Sequence, residues 1–120
     1  MKAIVNIGLK VGDSSYTHSP EDAVEALDLN GLTVISTTLL ESDSEPTLVA
    51  VVKPRIDTWL FANAINTVAI TLEQDCIAVY KPNTGKGALI GPRSYKWGTF
   101  SPEYFFMPDG SRLDAAAKAA

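Results

Sequence analysis

Cysteine is almost missing from these 120 residues: Cys76 stands alone, so no disulfide can form within the chain. That suits a reducing compartment. Histidine is as scarce, with only His18. One cysteine and one histidine do not make the usual zinc spacing. A Cys–His nucleophile would need these two side chains to meet, and nothing in the sequence brings them together. Cys76 therefore reads as a structural residue, and His18 as idle or a capping contact. No long apolar run is present either. The opening MKAIVNIGLKVGDSS is short, alternating and interrupted by Lys10, which marks a strand and not a signal peptide or membrane span. The expected location is cytoplasmic.

Nucleotide and calcium signatures are also lacking. Asn83-Thr84-Gly85-Lys86-Gly87 is no phosphate loop, because the G-x-x-x-x-G-K-[ST] pattern is absent and a strand, not a helix, follows. Glu41-Ser42-Asp43-Ser44-Glu45 has carboxylates but neither the glycine nor the distal glutamate of a calcium loop. It reads as a solvated hairpin loop. No metal, cofactor or catalytic residue is expected.

What is present is an ordinary globular composition, 46% apolar and 20% charged, with no low-complexity tract. The length fits one domain, expected over 1–114, with 115–120 as a frayed tail. Such a chain buries roughly two thirds of its unfolded surface and needs no staple. The net charge of −4 is unevenly spread. Residues 1–52 set two lysines against eight acids, whereas 53–97 hold six basic residues against three acids. An acidic whole argues against sequence-independent nucleic-acid binding; the basic middle leaves a local anion site open.

Residues 2–11 alternate, with Ala3, Val5, Ile7, Leu9 and Val11 on one face, as in a half-buried strand. Ser19 is a natural helix cap, Pro20 fits the first helical position, and Asp22 is the capping-box acid. Asn30-Gly31 ends that helix. LTVISTTLL (32–40) and TLVAVVK (47–53) are the strands of a hairpin. Phe61, Ala64, Ile65, Val68 and Leu72 form one apolar stripe, predicting a second helix over 57–72 capped by Asp57. CIAVYK (76–81) and KGALIG (86–91) flank the turn Pro82-Asn83-Thr84-Gly85.

These elements predict an α+β fold. Their order over residues 2–81 is the ferredoxin-like βαββαβ order, followed by an extra C-terminal hairpin strand. With right-handed crossovers, the first strand lies between the third and fourth, the second sits on an edge, and both helices cover one face of a mostly antiparallel sheet. The match is one of element order alone, and such folds host unrelated functions.

Three regions are candidates for function. Lys81, Lys86, Arg93 and Lys96 with Tyr80, Tyr95 and Trp97 form a basic-aromatic hairpin over 80–97, a pattern able to hold phosphates and stack bases. Asn6, Lys10 and Tyr80 would wall a small site on the sheet face away from the helices, with room above Gly8 and Ala78. The alternative is that this face is packed by the aromatic segment 95–106, which holds six of the ten aromatic residues, or by a second subunit. Strand 32–40, uncharged and free of proline and glycine, is an unprotected edge that predicts a homodimer. The leading expectation is a small non-enzymatic binding or regulatory protein acting through self-association and contact with a protein or small ligand. A nucleic-acid or nucleotide binder using the hairpin is the alternative, and a small enzyme using the open face, with Tyr80, Lys10 or Cys76 taking part, is the third reading.

Overall fold

The computed structural model describes residues 2–41, 45–92 and 101–114, together with the backbone of 94–97. Strand β1 (Ala3–Gly8) leads to helix α1 (Pro20–Leu29), then to the hairpin of β2 (Leu32–Glu41) and β3 (Pro46–Pro54). Helix α2 (Phe61–Thr71) follows, and then β4 (Ile77–Lys81) and β5 (Lys86–Gly91). These five strands form one antiparallel sheet in the order β2-β3-β1-β4-β5. A short strand not expected from the sequence, β6 (Ser94–Trp97), lies antiparallel beside β5. The first strand is thus central and β2 is an edge, as the crossover argument requires.

Local signals explain the first helix. The Ser19 hydroxyl accepts from the Asp22 amide at 3.1 Å, and the Asp22 carboxylate accepts from the Ser19 amide at 3.4 Å. The capping box therefore satisfies two amides that a helix start leaves bare. Gly31, at φ +81°, reverses the chain after the Asn30 cap; a Cβ there would also press on Ile56. The second helix starts differently from expectation. Thr58–Leu60 is a 3₁₀ turn, and Asp57 makes no side-chain cap. Instead its backbone oxygen accepts from the Leu60 amide at 2.9 Å, so the tight i→i+3 bond replaces the carboxylate cap.

Both helices seal one face of the sheet. Ala23, Ala26 and Leu27 of α1 and Phe61, Ala64, Ile65, Val68 and Ala69 of α2 join one buried cluster with Ala3, Val5, Ile7, Leu48, Ala50, Val52, Ile77, Val79, Ala88 and Ile90. The alternating sheet residues face away from it. Ile4, Val49, Phe105 and Leu113 make a second cluster, flanked by Leu40, Val51, Ala78, Tyr80, Phe106 and Met107. Among the described residues, no helix is long and apolar enough to cross a membrane.

Candidate functional site

The face opposite the helices is covered by residues 101–114, a strap with a short 3₁₀ turn (Pro102–Tyr104). Phe105 is 1% exposed and its ring lies 5.9 Å from that of Tyr80. Asn6 holds the strap with both ends of its amide. Its Nδ2 donates to the Phe106 carbonyl at 2.9 Å, and its Oδ1 accepts from the Phe106 amide at 2.7 Å. Further along, the Thr38 hydroxyl donates to the Pro108 carbonyl at 2.7 Å. The strap thus crosses from β4 over β1 to β2. Its far end folds back on itself through Phe106 and Arg112, with the Arg112 guanidinium 4.0 Å above the Phe106 ring. Asp109 accepts from the Ser111 amide at 2.9 Å and the Ser111 hydroxyl at 2.6 Å. Those hydrogen bonds hold its carboxyl below the ordinary carboxylate value.

Of the aromatic cover expected over 95–106, Phe105 and Phe106 pack on the sheet while Tyr104 stays 73% exposed. Phe100 and the side chains of Tyr95 and Trp97 lie outside the described residues. The room anticipated beside Asn6 is therefore filled. Ala78 packs in the second cluster, and a Cβ on Gly8 would meet the Glu45 and Gln74 side chains. Asn6 and Tyr80 share this face, since Asn6 lies opposite Ala78 and Ile4 opposite Tyr80. Lys10 lies beyond β1 in a bridge to Thr17, with its carbonyl accepting from Gln74 at 2.9 Å.

The structure divides the described residues of the basic-aromatic hairpin between two faces. Tyr80 turns to the strap, while Lys81 turns to α2, where its Nζ sits 5.1 Å over the Phe61 ring. Successive strand residues must part in this way. Lys86 is exposed and lies directly opposite Lys81. Burial, and then the Lys86 charge, lower the Lys81 amino pKa. Lys96 and Trp97 are in β6, opposite Leu89 and Ala88; Arg93 and both of those side chains lie outside the described residues.

His18 does more than the idle or capping role that its place before the helix suggests. Its Nδ1 lies 3.6 Å from Asp22 and its Nε2 lies 3.1 Å from Glu73, so one ring ties the start of α1 to the end of α2. Tyr16 meets it edge-on at 5.0 Å. The spacing of four to Asp22 is visible in sequence; the Glu73 contact is 55 positions away and has no local signal. Among the described residues, no group of His, Cys, Asp and Glu is placed to hold a metal. Cys76 is half-buried, and burial, then the Asp75 carboxylate, raise its thiol pKa.

The remaining feature is the β2 edge. Ile35 bulges out of the ladder between Val34 and Ser36 and is 48% exposed; Leu39 is 42% exposed. Ser36 and Thr37 between them are exposed as well. Along the same edge a groove separates β2 from α1, lined by Glu21, Val24, Glu25, Asp28, Val34 and Thr37 among others. Arg55 ties off one end, pairing with Asp28 at 3.1 Å and donating to the Thr33 hydroxyl at 2.7 Å.

Comparison with protein-family models, with curated proteins and with solved structures finds no match. What the chain itself defines is an α+β protein with two helices on one side of an antiparallel sheet.

Proposed function

We propose that this chain is a small non-enzymatic binding or regulatory protein that works through self-association, with the β2 edge as its contact surface. One observation carries the reading: β2 runs ten residues along the end of the sheet, is uncharged until Glu41, and exposes Ile35 and Leu39. Edge strands of that length normally carry lysine, proline or a covering segment. Here the strand itself carries no lysine or proline, and its bulge at Ile35 leaves 36–41 regular. The order β2-β3-β1-β4, with both helices behind it, supports a ferredoxin-like description of the first four strands. A thiol held above its ordinary value stays protonated at neutral pH, which favours a non-enzymatic reading over a cysteine nucleophile. The lone free cysteine accords with a reducing, cytoplasmic setting.

Light scattering over a range of protein concentrations tests the proposal. The chain should reach the mass of a dimer, and Leu39→Asp, a change at an exposed position, should return it to monomer. A monomer at the highest concentration ends the reading. The second reading, a nucleotide or nucleic-acid site on 80–97, draws support from the facing pair Lys81 and Lys86, because like charges set opposite each other on strands gain from an anion between them. Oligonucleotide binding that weakens steeply with salt would favour it.

A further inference from the structure

We propose that the β2 edge takes up an extended, lysine- or arginine-bearing segment of a partner protein, in competition with a second copy of the chain. This rests on the reading of β2 as the association surface and names the occupant that its surroundings fit best. Glu21, Glu25 and Asp28 stand at spacings of four and three on α1, hence in one stripe, and all three line the groove beside Thr33, Val34 and Thr37. Among the described residues that line that groove there is no lysine or arginine, and Arg55 stands only at its end. Arg55 engages Asp28, but among the described residues Glu21 and Glu25 have no ion-pair partner.

The charge stripe distinguishes between occupants. A second copy adding antiparallel to β2 is related by a two-fold axis normal to the sheet. That operation leaves both α1 helices on the same side, next to the junction. Each would bring the same carboxylates towards the other, an arrangement that opposes pairing. A basic strand reverses the sign. Its backbone would complete the β2 ladder, as in other strand-addition complexes. Alternate side chains would point to the α1 side at ~6.8 Å intervals, close to the ~6 Å rise from Glu21 to Glu25 along a helix. Val24 and Val34 would meet the aliphatic stems of those side chains.

The probe is a short capped peptide alternating lysine and valine, with a glutamate–valine peptide as its counterpart. Binding is read by calorimetry and by hydrogen exchange at the amides of Ser36–Leu40; light scattering reads self-association in the same samples. The lysine peptide should bind, protect those amides and reduce self-association, and the glutamate peptide should do none of these. Glu21→Gln with Glu25→Gln should weaken the lysine peptide about three- to tenfold while strengthening self-association, opposite signs that a folding defect does not produce. Self-association that Leu39→Asp abolishes, with no peptide binding, overturns the basic-partner inference and leaves the β2 surface standing. Lysine-peptide binding that ignores the glutamine changes, or that leaves the β2 amides unprotected, overturns it too. A monomer that binds neither peptide removes both ideas.

Discussion

Behind the sheet, Val5, Ile7, Val79 and Ile90 meet Leu27, Ile65 and Val68 from two regular helices. In front, Ile4 and Val49 meet Phe105 and Leu113 from a strap that is irregular where it crosses the sheet, apart from one 3₁₀ turn. The helices satisfy their own backbone groups, so apolar packing suffices to hold them. The strap has no such internal ladder over the sheet centre, and the sheet must supply polar partners. Asn6 does so from the middle of an otherwise apolar strand, and Thr38 from the edge strand β2. A buried asparagine 9% exposed would be costly alone; here it completes the bonding of Phe106. The difference teaches that an irregular segment covers a sheet only where the sheet carries matching side-chain donors and acceptors.

The sharpest break of this comparison is Phe105→Ala. If the strap is a core as real as the helix face, the change costs about 3–5 kcal/mol, measured by urea unfolding, much as Phe61→Ala would behind the sheet. A cost near zero would reduce the strap to a loose covering. Next comes Asn6→Ala, which leaves the Phe106 amide and carbonyl without partners and should cost about 2–3 kcal/mol. Asn6→Asp keeps the acceptor for the amide and loses the donor to the carbonyl, so it tests which half of the bond matters. A nearly neutral Asn6→Ala would mean that water replaces the amide and the two faces are less different than their geometry suggests.

The smallest expected effect is one of pH. The Asp109 carboxyl lies below its ordinary value of 3.8 because Ser111 donates to it. A depressed carboxylate contributes stability above the ordinary value and loses it as the pH falls through the lowered one. Acid titration should therefore loosen the strap turn below pH 3.8. Near-ultraviolet circular dichroism from the Tyr80–Phe105 contact would report it, and Asp109→Asn should flatten that response.

The parts of the molecule that were legible in sequence are those written locally. Ser19, Pro20 and Asp22 announced α1 because a capping box lies within four residues. The strand order followed from element order and crossover handedness, and the dense aromatics of 95–106 announced a cover. Which aromatics do the covering was not legible, since Tyr104 and Phe105 differ only in how the 3₁₀ turn aims them. Asp57 looked like a cap, but the 3₁₀ turn bonds its backbone oxygen instead. The bulge at Ile35 and the grip of His18 on Glu73 depend on partners far along the chain. The groove needed α1 and β2 laid side by side before its acidic stripe could be recognised as more than a solvated face.

The two hydrogen bonds between Asn6 and Phe106 join positions 100 residues apart. A ribosome adds about 5–20 residues per second, so the Asn6 amide is made on the order of 5–20 s before its partner. Late in that interval, once β4 has been made, Ile4, Val49 and Ala78 can belong to a sheet whose helices are in place but whose front is bare. The nascent chain therefore passes through a stage with one finished side and one adhesive side, and that stage is where a chaperone has most to hold and a neighbouring nascent copy has most to stick to.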